Sequence, residues 1–129
     1  MTTVPSTFPT RSPKDVPPLL RVHGHGELGI AVRRGAGHAL VTLCGELDLA
    51  GAPRVRAVLR DCAGRGEDIT VDLRNLRFLD CSGLRPLVEA ADLGVRRGRR
   101  FTIGAASVPV RRVLELTRLT RLLDASPAA

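Results

Sequence analysis

From Leu28 onward the chain switches between a period of two and a period near three and a half, and each switch marks an element. "LGIAVRR" (28–34) and "HALVTLCGELD" (38–48) are β-rich runs separated by "GAG", which predicts a hairpin with a short loop. Gly45, inside the second run, predicts a bend or bulge. Pro53 suits the first turn of a helix, where its missing N–H would go unpaired in any case. Val55, Val58, Leu59 and Cys62 then fall at i, i+3, i+4 and i+7, with Arg54, Arg56, Arg60 and Asp61 mostly off that stripe. Gly64 is expected to end this helix.

"DITVDL" (68–73) reads as a short strand with Ile69, Val71 and Leu73 on one face. Behind it, "RNLRFLD" carries Leu76, Phe78 and Leu79, a patch expected to bury against the core. "GLRPLVEAADLGVRRG" places Leu84, Leu87, Val88, Ala91 and Val95 on a second helical stripe. "RFTIGA" (100–105) is a further strand, and "SVPVRRVLELT" a helix with Ser107 as cap, Pro109 in its first turn and Val110, Val113 and Leu114 inward. A last short helix, "RLTRLLD", is expected to pack Leu119, Leu122 and Leu123 against the sheet. The order β-β-α-β-α-β-α-α calls for right-handed crossovers onto a mostly parallel sheet, with an antiparallel opening pair. Helices with single apolar stripes should cover a sheet face, so the fold class is α/β.

Composition narrows the setting. A length of 129 residues, 43% of them hydrophobic, suits one domain with one core. Five of the nine prolines fall within the first 18 residues among Ser and Thr, a composition that buries too little to offset its ordering entropy. The expected organisation is a Pro-rich tail over 1–24, a folded domain over 25–125 and a short tail over 126–129. No apolar run approaches the length of a membrane span, and the N-terminus lacks the features of a secretory signal. A cytoplasmic protein with no membrane partner is expected.

Cys44, Cys62 and Cys81 form no CxxC pair and read as reduced thiols, with Cys81 at an element boundary where partial exposure is expected. "HGHG" (23–26) offers two His without a third ligand, so a Gly-rich lead-in is favoured over a metal site, and no cofactor is expected. The net charge of +7 comes almost wholly from Arg, scattered from Arg11 to Arg121 with no Tyr or Trp among them. A nucleic-acid footprint needs charge focused on one face, so direct nucleic-acid binding is the lesser reading. The densest cluster, "RRGRR" (96–100), fits a solvated helix end, where cations favour the dipole.

The candidate chemistry lies in "LDCSGLR", where strand rhythm gives way to helix rhythm. Were Asp80 the cap, Pro86 would fall inside the helix and break a backbone bond. With Ser82 or Gly83 as cap it falls in the first turn, so the helix is expected to start near Ser82. Ser82 then has two readings. As an N-cap it contributes about 1 kcal/mol. As a modification site it would place a phosphate at the positive helix end, adding about −1.5 to −2 charges beside Asp80, with Glu46 and Asp48 near. A hydrolase is disfavoured because GxSxG, HExxH and a Walker loop are all absent, and none of His23, His25 and His38 has a base role. If Ser82 accepts a phosphoryl group, the ATP site, Mg²⁺ and base come from another protein. The chain reads as a substrate and not as an enzyme, with no catalytic residue.

"VTLCGELDLAGAPRVRAVL" (41–59), "ITVDLRNLRFLDCSGLRPLVEA" (69–90) and "VRRVLELTRLTRLLD" (110–124) resemble, in that order, the bacterial anti-sigma factor antagonists, which are single STAS domains. The resemblance covers about residues 28–124. It implies the STAS fold, a mixed sheet of about four to five strands with helices mainly on one face. It also implies a partner switch: the unphosphorylated antagonist binds an anti-sigma factor, itself a serine kinase, and frees a sigma factor; a phosphatase restores the binding form. The family's phospho-acceptor, the Ser before Gly in "D-S-S-G-L", maps onto Ser82. The acidic position after "GEL" maps onto Asp48 and the motif aspartate onto Asp80. The partner-binding or site-flanking positions are then Glu46, Asp48, Asp80, Cys81, Gly83, Leu84 and Arg85, with the oligomeric state left open. Cys81 replaces the first motif Ser, and Arg85 and Pro86 stand where the family has small or aliphatic residues. Those departures motivate a second reading, a non-switching STAS scaffold or sensor subunit.

Overall fold

Ala36 and Gly37 both take positive φ, 53° and 76°, the pairing that lets a two-residue turn follow the twist of its strands. They join β1 (Leu28–Gly35) to β2 (His38–Leu47) as an antiparallel hairpin in the computed structural model, which describes residues 27–123. The chain continues through α1 (Ala52–Gly64), β3 (Asp68–Leu79), α2 (Cys81–Arg97), β4 (Phe101–Ala106) and α3 (Val108–Leu116), and ends in a 3₁₀ turn, Thr120–Leu122. The four strands lie in the order β1-β2-β3-β4, with β2–β3 and β3–β4 parallel. "HGHG" (23–26) and both stretches assigned to tails, 1–24 and 126–129, lie outside the described residues.

One core joins sheet to helices. Val41, Leu43 and Leu47 of β2 and Ile69, Val71 and Leu73 of β3 meet Val55, Leu59 and Cys62 of α1, Leu87 and Ala91 of α2, and Val110 and Leu114 of α3. The alternate positions on β2 and β3 are mixed, Leu40 and Cys44 standing among polar residues. Thr42, Thr70 and Asp72 are nonetheless buried, and two of them are paired: Thr70 Oγ1 with His38 Nε2 at 2.8 Å, and Asp72 Oδ1 with the backbone N–H and Nε of Arg74. Buried polar groups need such partners.

Several expectations are corrected. β3 runs on to Leu79 instead of ending at Leu73. It carries an extra residue in two places, since Thr42 and Cys44 oppose Asp72 and Asn75, while Gly45 and Glu46 oppose Leu76 and Phe78. Each bulge turns the following side chains over. Leu76 and Leu79 thus return to the core, whereas Phe78 is 45% exposed instead of buried. Val95 is 81% exposed, because Gly94 takes the inward slot: a Cβ there would come within 3.0 Å of the Arg99 carbonyl. Gly64 is the last residue of α1, and the left-handed reversal comes at Gly66, φ 73°. Ser107 occupies the N-cap position of α3, but its hydroxyl donates to the Leu76 carbonyl instead of accepting from the helix.

Gly45 does bend β2. Its φ is 97°, and a Cβ would lie 2.0 Å from the Glu27 carbonyl oxygen, which accepts the Glu46 N–H at 2.9 Å.

Burial holds the His38 imidazole below its ordinary value near 6.5, against the upward pull of Asp68 and Glu67. As pH falls, the unfolded chain therefore takes up this proton first. The associated stability is complete above the unfolded value and declines as pH falls through the folded one. Urea titrations between about pH 7.5 and 5.5 should show that decline, and His38→Gln should make its slope shallower.

Candidate functional site

Parallel pairing sets Leu47 beside Leu79, so the chain leaves β2 and β3 at one edge of the sheet. On the β2 side Asp48 is buried, and its Oδ1 accepts the Ala50 N–H at 3.1 Å. Its carbonyl accepts from Gly51 and Ala52 at 3.1 and 3.0 Å. This Asx-type turn feeds α1 and leaves Leu49 71% exposed at its tip.

On the β3 side the cap lies two residues before Ser82, the nearer of the two expected positions. Asp80 is the N-cap of α2: Oδ1 accepts the Gly83 N–H at 2.9 Å, and its carbonyl accepts from Leu84 at 2.9 Å. Pro86 consequently lies inside the helix, as its sixth residue. The bond it forfeits would have run to the Ser82 carbonyl, on a half-exposed first turn where solvent can take that acceptor. Asp80 caps the helix all the same. Ser82 is therefore the second helical residue and not the cap, and its hydroxyl has no hydrogen-bond partner among the described residues. The amides of Cys81 and Ser82 belong to the opening turn, which has no preceding helical carbonyl.

Gly83 has a packing reason. A Cβ there would sit 2.5 Å from the Leu47 carbonyl oxygen and 2.6 Å from Leu47 Cγ. Only glycine lets α2 rest against the end of β2.

Between the two helix starts opens a cleft of about 350 Å³. Ser82, Cys81 and Arg85 line it from α2, and Leu49, Pro53 and Arg56 from the turn and α1. Of the positions read from sequence, the structure brings Cys81, Ser82 and Arg85 to this cleft. Asp48 and Asp80 hold backbone at its margins. Gly83 and Leu84 are buried beneath it, Leu84 in the core. Glu46 is half-buried, lies 3.7 Å from Arg77 Nη2 and does not line the cleft.

Leu49, Pro53 and Arg56 were missed as site residues. Leu49 left a signal, a large apolar residue inside the turn-forming "DLAGAP". Arg56 left none, because an arginine off a helical stripe looks like solvated surface.

Arg56 also bridges the helices, with Nε 2.8 Å from Glu89 Oε1. That hydrogen bond, with the charges of Arg56, Arg60 and Arg85, holds the Glu89 carboxyl below its ordinary range despite some opposing desolvation. Among the described residues no group of three or more His, Cys, Asp or Glu could hold a metal ion, and no helix is long and apolar enough to cross a membrane. What the cleft offers is an accessible hydroxyl at a helix N-terminus flanked by two guanidinium groups.

Residues 30–124 match the family described as Mlab, STAS domain. The chain is 30% identical over 98 residues to an anti-sigma F factor antagonist of Paenibacillus polymyxa, spanning 74% of this chain and 84% of that protein. It is 24% identical over 99 residues to an anti-sigma-B factor antagonist of Bacillus subtilis strain 168, spanning 77% and 91%. Among solved structures, the anti-sigma factor antagonist SpoIIAA in its unphosphorylated form superposes with a TM-score of 0.67 at 20% identity, over 74% of this chain and 86% of that one. The Bacillus cell fate determinant SpoIIAA in the phosphorylated form superposes with 0.63 at 19%, over 74% and 89%. The shared fold is a mixed sheet with helices.

The division of labour at the helix start is measurable by urea denaturation. Asp80→Ala should cost about 1 kcal/mol through the lost cap, Ser82→Ala less than about 0.5 kcal/mol, and Gly83→Ala about 1–3 kcal/mol through overpacking.

Proposed function

The chain belongs to the STAS-domain family, and on that premise we propose that it is an anti-sigma factor antagonist switched by phosphorylation of Ser82. Relatives that align over most of their length bear that description. The observation that carries the switch is the hydroxyl of Ser82, unpartnered among the described residues, on a first turn capped by a different residue. Because Asp80 holds the helix start, Ser82 can gain or lose a group without unseating α2.

In its unphosphorylated form the protein binds an anti-sigma factor through the rim of the cleft, where Leu49, Cys81 and Arg85 are exposed, and a sigma factor is released. The anti-sigma factor is a serine kinase and supplies ATP, Mg²⁺ and base. Ser82 Oγ attacks the γ-phosphorus, the Oγ–P bond forms as the bond to the β,γ-bridging oxygen breaks, ADP leaves, and the hydroxyl proton passes to the kinase's base. The phosphoserine adds about −1.5 to −2 charges at neutral pH and ends the interaction. A phosphatase returns the hydroxyl by transferring the phosphoryl group to water. This chain is the substrate of both partners, in the cytoplasm, and catalyses neither step.

With the cognate kinase and ATP, the wild type should gain one phosphate and Ser82→Ala none. Ser82→Asp should bind the anti-sigma factor more than tenfold more weakly, a loss above about 1.4 kcal/mol. Mass-spectrometric recovery of the phosphate on another residue, with Ser82 unmodified, would sink the assignment.

A further inference from the structure

The cleft at Ser82 holds two cations and no carboxylate. Arg85 lies three residues after Ser82 on α2, a spacing that sets both on one helical face. It is exposed and forms no ion pair among the described residues. Arg56 enters from α1. Its hold on Glu89 is uneven, with Nε at 2.8 Å but Nη2 at 3.5 Å, so much of its five-donor fork is unused. Two guanidinium groups thus border one open space, and each can take two oxygens of a phosphate at once.

We propose that phosphoserine 82 is clamped within its own chain by Arg56 and Arg85, with Arg56 turning from Glu89 to the phosphate. This rests on Ser82 being the phospho-acceptor and states how the modified site behaves. Other charged groups at the joint act against the clamp. Asp48 and Asp80 add negative field from the β2–α1 turn and the cap, although each has an oxygen committed to a backbone N–H, and Glu89 competes for Arg56. The clamp has a functional consequence. Phosphorylation draws Arg85 from the docking rim and Arg56 from Glu89 at the moment it adds an anion, so the free form's positive edge is lost and not merely overlaid.

The test uses the full chain with phosphoserine installed at position 82 during translation, so it does not depend on any kinase, and reads the phosphate by ³¹P NMR across pH. The second phosphate pKa, ordinarily about 6, should fall by about one unit. Arg85→Gln and Arg56→Gln should each restore at least about half of that shift, while Arg56→Lys, which keeps charge but not the fork, retains part of it. Glu89→Gln should deepen the shift, and more so while Arg56 is present. A wild-type titration at or above the ordinary value overturns the clamp, as does a shift that survives both arginine substitutions, which would assign it to the helix amides alone. Failure of the kinase to modify Ser82 bears instead on the proposed function, so the two ideas fail separately.

Discussion

Everything at the site hangs on how closely α2 approaches the end of β2. Leu47 is the pivot. Its side chain is fully buried, its carbonyl faces the Asp80 N–H at 3.4 Å, and the same carbonyl lies where a Gly83 side chain would begin. Gly51 is under a similar constraint on the other side, with a Cβ there meeting Leu28 at 2.8 Å and Leu47 at 3.5 Å. The starts of both helices therefore press against one strand end, and the cleft is what remains between them. Loosening either contact would change the distance between Arg56 on α1 and Ser82 on α2, which share no covalent path shorter than a strand and a helix.

That geometry separates two jobs that one serine could have performed. Helix N-termini call for an acceptor side chain, and Ser82 looked suited to it. Asp80 takes the role with a charged oxygen, and Asp48 does the equivalent for the turn into α1. The two acidic positions that the resemblance sets beside a phosphorylated serine are thus committed to backbone amides. Their contribution to the field at Ser82 comes with fixed positions, and the mobile charges nearby are the arginines.

How much of this was legible depended on whether a residue's role was local. The stripe Val55, Leu59 and Cys62 and the alternation Ile69, Val71 and Leu73 report local periodicity, and the structure buries all six. The hairpin, the bend at Gly45 and the order of elements follow from the same kind of signal. Phe78 was misjudged because the patch was read as a block: alternation continued from Leu73 already turns it outward, and the two extra residues in β3 cancel by that point. Leu76 comes inward only through the first of them, and a bulge is defined by the partner strand, which a sequence window does not contain. The start of α2 was misjudged because Pro86 was taken to exclude a start ahead of Ser82, whereas the helix accommodates it as its sixth residue. Arg56 was invisible as a site residue for a plainer reason: it is 26 positions from Ser82, and only the packing of α1 on α2 brings the two together.

The arginine-rich composition also takes on a different meaning. Arg34 links β1 to Glu67 and Asp61, Arg56 links α1 to α2, and Arg74 and Arg77 pair with Asp72 and Glu46. The exposed pairs among them contribute about 1 kcal/mol or less each, whereas Glu67 and Asp72 are buried partners. These pairings decide where free positive charge is left, and Arg85 at the cleft is one such place. A phosphate on a surface already negative deepens a field of the same sign, which changes docking by degree. At a cleft lined by Arg56 and Arg85 a phosphate would instead cancel or reverse the field, so under the proposed switch one modification would remove an attraction and supply a repulsion.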